Sequence, residues 1–394
     1  MRLFQCLMTA PRTVLLVVLS MGVILPMQSA TAQAPAVQTC QLGELKLESG
    51  EVIRDFRMTY ITAGTLNADK SNAILSIHGL QGNRNSQSAW AGPGQAFDTK
   101  RYFVIQPDTL GAASNDPNAT TSPTRSGLNM LFPRFNIRDM VKAEHRMLTE
   151  CLGIKKLLAV AGSSMGGIET MQWAVSFPDF MHAVFPQTPM ARANRQGNFI
   201  WESIRQAIML DPKWQDGNYP NDDPPRAGIG VGLQIQTVVG WSAAGFEEAF
   251  ATREQVHAFH AQGVKSVGNG VQPRDWIYRS WAIQSHNIGD TPGFKGDFAA
   301  AARSIKARVV MFPNCHDQLH PPREGGVLEA MQYIPVAKLV DYDDIGGHRA
   351  STGAKALAIF ATEVRDLLKR IEDGRPGIGG PRIPRNFTRP DYCP

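Results

Sequence analysis

The stretch Leu157-Leu158-Ala159-Val160-Ala161-Gly162-Ser163-Ser164-Met165-Gly166-Gly167-Ile168-Glu169-Thr170 constrains this chain more than any other. A short apolar run is broken by Gly-x-Ser-x-Gly and followed by helix formers, which reads as strand, sharp turn and helix. A serine at the centre of such a turn sits in strained backbone, so its neighbours must be small, and Gly162, Gly166 and Gly167 meet that need. The strain lifts the Ser164 hydroxyl above the sheet edge. It also leaves the Met165 N–H at a helix N-terminus, where its partial positive charge can stabilise an oxyanion. A plain Ser/Gly loop would satisfy the bare motif; the flanking strand and amphipathic helix set this one apart.

The 394 residues, 43% of them hydrophobic, can bury a large core. The length suits one big α/β domain with an insertion or two ordinary domains. Residues 1–32 read as a signal peptide: Arg2 and Arg12 precede the apolar run Val14–Leu19, and Ala30-Thr31-Ala32 offers a cleavage site after Ala32. The run is too short for the roughly 20 residues of a membrane span. The expectation is therefore export to the periplasm or medium, with no membrane anchor after cleavage. Losing the two arginines lowers the formal charge from +5 to +3, too small a bias for a nucleic-acid or membrane-surface partner. The mature chain keeps Cys40, Cys151, Cys315 and Cys393, an even count for a compartment that permits disulfides.

Along the chain, Glu44–Gly50 and Val52–Leu66 alternate as two antiparallel edge strands would, with Ser49-Gly50 as their turn. Ala73–Ile77 is a buried strand ending in the loop His78–Asn83, and Tyr102–Gln106 is the next strand. Ala112–Pro133 reads as a long loop and Ile137–Leu152 as a helix. Beyond the serine turn, Ile168–Phe177 is a helix and His182–Gln187 a strand. This alternation predicts a doubly wound, mostly parallel sheet, with 33–191 and 304–373 forming its core. From Arg192 to Lys306 the strands lapse and aromatic-rich helical patterns take over, so 192–303 reads as a helical cap. Most of its aromatics are expected in the cap's own core, a minority at a substrate pocket. Strands resume at Arg308–Phe312 and Lys338–Tyr342, a last helix covers Ala354–Ile371, and 374–394 is an extended tail.

A serine nucleophile needs a base and an acid to orient it, and in this topology both follow it along the chain. Asp317 lies just beyond the strand Arg308–Phe312. His348 lies in the glycine-flanked loop before the final helix. Asp343 or Asp344, on the histidine's own loop, could serve as the acid instead. His316 and His320 flank Asp317 but lack a further motif with metal-ligand spacing. His78 reads as a loop-structuring residue, and the Leu80 N–H is the natural second oxyanion donor.

The chain resembles the α/β-hydrolase superfamily, and within it the homoserine O-acetyltransferase family. The likeness is carried by Leu47-Glu48-Ser49-Gly50, Tyr60–Asn67, Ile137–Val141, Gly162–Gly167 with Gln172-Trp173-Ala174, and Arg205–Ile208 with Asp211-Pro212-Lys213-Trp214. It implies Ser164, Asp317 and His348 as triad and Leu80 and Met165 as oxyanion donors. No cofactor and no metal are expected. Two departures stand out. Family members carry Gly-His-Asp, whose aspartate binds the homoserine amino group, whereas this chain has Gly347-His348-Arg349. They also carry a cap arginine for the substrate carboxylate, whereas Gly228–Gly240 has no basic residue. Arg349 and Leu233 are thus the expected substrate contacts, and homoserine should be a poor acceptor. The leading expectation is an exported hydrolase of small acyl compounds. An O-acyltransferase is the alternative, and a non-catalytic binding protein a remote one. A homodimer is compatible with the sequence.

For the cysteines, Cys151 should lie at the sheet's N-terminal edge and Cys315 at its C-terminal edge. About five strand residues separate those edges by roughly 17 Å, beyond the roughly 4.4–6.8 Å a disulfide spans between Cα atoms. The expected bond joins Cys40 to Cys393 through irregular terminal segments, with Cys151 and Cys315 free; four unpaired thiols are the other reading.

Overall fold

A twisted parallel sheet is what strand-helix alternation demands, and the computed structural model, which describes residues 35–112, 118–265 and 272–378, contains one. Its strands are β1 Gln38–Lys46, β2 Val52–Ala63, β3 Ala73–Ile77, β4 Phe103–Pro107, β5 Leu157–Ser163, β6 Met181–Gln187, β7 Arg308–Met311 and β8 Ala337–Leu339. The spatial order is β1-β2-β4-β3-β5-β6-β7-β8. β1 and β2 pair antiparallel, as does β2 with β4, and every later neighbour pair is parallel. β3 and β5 are buried along their whole length, which is why they read as unbroken apolar runs.

The helices are α1 Pro123–Ser126, α2 Ile137–Arg146, α3 Met165–Ser176, α4 Arg195–Met209, α5 Arg226–Gly240, α6 Ala243–Ala249, α7 Arg253–Lys265, α8 Pro273–Gln284, α9 Phe298–Arg303, α10 Val327–Tyr333 and α11 Ala354–Glu372. Successive strand residues feed opposite layers. Val160, Val184 and Val309 join Met140, Ile168 and Trp173 of α2 and α3 in one core. Ala159, Phe185 and Val310 join Phe360, Val364 and Leu367 of α11 in the other. The first core continues into the helices between β6 and β7 through Trp201, Ile204, Ile229 and Trp276. The buried aromatics there, Trp201, Trp214, Tyr219, Trp276 and Tyr278, pack the helices together. Among the described residues no helix is long and apolar enough to cross a membrane. The expected leader and most of the tail lie outside the described residues.

The disulfide expectation is corrected. Cys40 bonds Cys151, with 5.9 Å between their Cα atoms. Cys315 is disulfide-bonded as well, not free, and Cys393 lies outside the described residues. The error lay in treating Cys40 as irregular backbone. β1 begins six residues before Glu44, so Cys40 is a buried strand residue. The helix that starts as α2 continues through one wider turn, Met147–Cys151, beside that strand. Lys142 donates to the Lys46 carbonyl and Arg146 to those of Glu44 and Leu42. These bonds cover the open edge of β1 and bring the end of the helix to Cys40. Cys151 and Cys315 do not pair, as their separation along the sheet requires.

Candidate active site

The turn between β5 and α3 holds Ser164 at φ 58°, ψ −118°, a conformation a non-glycine residue adopts only when its surroundings enforce it. The glycines show how. A Cβ on Gly162 would sit 2.2 Å from the Gly166 carbonyl oxygen. One on Gly166 would sit 2.4 Å from that of Ile77, and one on Gly167 2.4 Å from that of Gln187. Only glycines allow the turn to close this tightly between β3 and β6. The Ser164 N–H donates to the Gln187 carbonyl at 3.0 Å, tying the serine to the neighbouring strand.

At the same sheet end the loops after β7 and β8 converge on the serine. The Ser164 hydroxyl donates to His348 Nε2 at 2.8 Å, and His348 Nδ1 donates to Asp317 Oδ2 at 2.6 Å. The direction follows from Asp317, whose other oxygen already accepts the Leu319 and His320 N–H groups at 2.9 and 2.8 Å. Its carboxylate can only accept, so Nδ1 carries the imidazole proton and Nε2 is left as the base. Burial pushes the Asp317 carboxyl up, but the facing His348, its hydrogen bond and nearby His320 bring it below the ordinary carboxylate range. The Met165 N–H is the first amide of α3 and has no intrahelical acceptor. The Leu80 N–H, on the loop after β3, meets no acceptor among the described residues. The arrangement can ionise a hydroxyl at Ser164, store the proton on His348 and offer two amides to a developing oxyanion.

The other candidates separate cleanly. Asp343 is exposed and meets His316 Nε2 at 3.3 Å. Asp344 Oδ1 accepts from the Gly346 N–H. Neither touches His348. His316 and His320 diverge: His320 is buried, donates from Nδ1 to the Thr188 carbonyl at 2.7 Å and packs edge-on against His348. Burial, with the neighbouring His348, depresses it to about 4. Among the described residues no group of three or more His, Cys, Asp or Glu side chains is arranged to hold a metal. His78 is buried, donates to the Gly79 carbonyl and accepts the Thr109 N–H, shaping the Leu80 loop. Burial and then Arg279 depress it to about 4. Arg349 is exposed, with its guanidinium 5.2 Å from the centre of the Trp241 ring. Leu233, on α5, is half-buried against the core.

Sequence reasoning missed the residues that hold these loops. Buried Asn314 donates to the carbonyls of Asp344 and Gly347 at 2.8 and 2.7 Å, joining the Asp317 loop to the His348 loop. Gln187 donates to Tyr342 Oη and to the Ser351 carbonyl. Asp108 accepts from the Arg84 N–H, the Arg84 guanidinium and the Thr59 hydroxyl, pinning the Leu80 loop. The only sequence signal was an amide or acid beside a strand end, which many non-functional positions share.

The model of the alpha/beta hydrolase fold family matches residues 72–301, from β3 through the turn at Ser164 and into α9. The chain is an α/β hydrolase. Within that fold it belongs with the homoserine O-acetyltransferases. The enzyme of that name from Zymomonas mobilis is 33% identical over 316 residues, which cover 73% of this hydrolase and 84% of its relative. A probable esterase of Corynebacterium glutamicum is 31% identical over 330 residues, covering 81% and 91%. The solved acetylester hydrolase of Corynebacterium glutamicum superimposes with a TM-score of 0.75 at 26% identity, covering 85% of this chain and 96% of that one. The α/β hydrolase described here therefore has relatives named both for acyl transfer and for ester hydrolysis, both of them enzymes.

Proposed function

We propose that this enzyme is an exported hydrolase that passes a small acyl group from an ester through Ser164 to water. The observation that carries the reading is the Asp317–His348–Ser164 hydrogen-bond chain with Nε2 left as the base. Ser164 Oγ attacks the acyl carbonyl carbon while His348 Nε2 takes its proton. The Leu80 and Met165 N–H groups hold the resulting oxyanion, and collapse breaks the ester C–O bond as His348 returns the proton to the leaving alcohol. Water, deprotonated by the same nitrogen, then releases the acid and restores Ser164. Asp317 stabilises the imidazolium formed in each half-reaction.

Arg349 supports hydrolysis over transfer to homoserine. It follows directly after the base, where relatives of the family carry the aspartate that binds the homoserine amino group, and its positive charge cannot pair with an ammonium group. Export rests on the expected leader and is supported by the Cys40–Cys151 bond, which suits an oxidising compartment. Transfer to an alcohol is the second reading, favoured by the 33% identity to a named transferase.

The deciding assay gives purified mature protein a short acyl ester such as p-nitrophenyl acetate, with and without homoserine, and separately acetyl-CoA with homoserine. Hydrolysis should be unaffected by homoserine, no O-acetylhomoserine should form, and Ser164→Ala should lose turnover by several orders of magnitude while staying folded. Retained turnover in Ser164→Ala would refute the serine mechanism; efficient O-acetylhomoserine formation would establish transfer instead.

A further inference from the structure

The loop carrying His348 is held from two sides. From the sheet side, Asn314 donates to the carbonyls of Asp344 and Gly347 and accepts the Asp344 N–H at 3.2 Å. From the other side comes the turn between α5 and α6. Buried Ser242 caps α6 by accepting the Gly245 N–H at 3.0 Å, and its hydroxyl proton goes to the carbonyl of Ile345. Ile345 lies three residues before His348, between the two carbonyls that Asn314 holds.

Backbones meet here without side chains between them. A Cβ on Gly245 would lie 2.1 Å from the Ile345 oxygen. Gly347, at φ +64°, has room for none, since it would lie 2.8 Å from the Ser242 nitrogen and 3.0 Å from the Gly240 oxygen. Glycine on each side of the contact is what lets the turn at 240–245 press against 345–347. Such contact fixes where the base stands, and misplacing a reacting group by about 1 Å can cost about a hundredfold in rate.

We infer that Ser242 is a positioning residue for the general base: its hydrogen bond to Ile345, with the Gly245 and Gly347 contacts, sets His348 Nε2 against Ser164. The turn between α5 and α6 thus helps build the active site. The inference rests on the serine-hydrolase reading above and adds to it a residue that touches neither substrate nor the reacting atoms.

Three variants test it. Ser242→Ala removes the hydroxyl and the cap. Ser242→Gly removes the hydroxyl at little cost to the helix, because glycine is tolerated at this position. Ser242→Thr keeps both functions. Each is assayed for p-nitrophenyl acetate hydrolysis, for the rate of covalent labelling by a fluorophosphonate, which reads attack by Ser164 without a deacylation step, and for melting temperature. Ala and Gly should both lower kcat and the labelling rate about tenfold or more with KM within about twofold, and Thr should restore both rates to within about threefold. Wild-type labelling in folded Ala or Gly variants overturns the inference, as does a Thr variant as slow as Ala, or a lowered melting temperature with labelling intact. Ser164→Ala runs alongside. Activity surviving there refutes the serine reading itself, whereas activity lost there but untouched in Ser242→Ala and Ser242→Gly refutes only the positioning role.

Discussion

Asp317→Asn should disable this enzyme through the wrong tautomer, without disturbing its packing. In the native site Oδ1 accepts two backbone N–H groups, from Leu319 and His320, and Oδ2 accepts the proton of His348 Nδ1. An asparagine must place its oxygen on one side and its NH2 on the other. The two amide donors claim the oxygen, so the NH2 faces His348 and Nδ1 becomes an acceptor. The imidazole proton then moves to Nε2, against the Ser164 hydroxyl, where a base is needed. Flipping the amide would restore the productive tautomer but leave two N–H groups unpaired around a fully buried side chain. At about 1–3 kcal/mol for each the flip costs about 2–6 kcal/mol. With about 1.4 kcal/mol per tenfold, the productive population falls roughly 30-fold to 10⁴-fold, and kcat should fall with it. Steady-state hydrolysis of p-nitrophenyl acetate at pH 8, with circular dichroism to confirm folding, measures this. A folded Asp317→Asn enzyme within tenfold of wild type would refute the tautomer argument and reopen the choice of acid.

Two further outcomes concern stability. Desolvation raises buried Glu169 well above the usual carboxylate range, with facing Glu144 adding to it, and burial likewise raises Glu144 to about 8. Because the unfolded chain gives up these protons near the ordinary glutamate value of about 4.3, stability is fullest below it and is lost as pH rises towards about 8. Buried His78 and His320, both depressed to about 4, add stability as pH rises to about 6.5, so the loss from the glutamates shows above that range. The melting temperature should drop between pH 7 and pH 8, and Glu169→Gln should flatten that drop; an unchanged slope would show that the pair does not titrate as described. Replacing Cys40 and Cys151 by alanine opens a loop with a sequence separation of 111 and should cost about 2–5 kcal/mol in denaturant unfolding. A non-reducing peptide map should recover these two cysteines joined, and a free Cys40 peptide would contradict the structure.

The turn at Ser164 was legible because its geometry leaves almost no choice of residue: three glycines in six positions record three carbonyls within 2.4 Å of where a Cβ would stand. The loops carrying Asp317 and His348 were legible as strand ends in the right order. The choice of Asp317 over Asp343 and Asp344 rested on its lying on a separate loop after β7 rather than on the histidine's own loop, and its carboxylate does face His348 while Asp343 is exposed. Asn314 and Ser242 were invisible: a lone amide or hydroxyl carries no periodicity, and its partner lies 30 or 103 residues away. The start of β1 was hidden by Gly43, whose positive φ and the register shifts on either side of it interrupt the alternation. A strand with that irregularity looks like two fragments, and Cys40 fell in the one read as coil.

The backbone contact between residues 240–245 and 345–347 also bears on exchanging parts between relatives. A chimera that imports only the segment between β6 and β7 brings its own turn against a foreign histidine loop, and any side chain at the position of Gly245 would strike the Ile345 carbonyl. The two pieces are distant in the gene but form one unit of recombination, so they should be transplanted together.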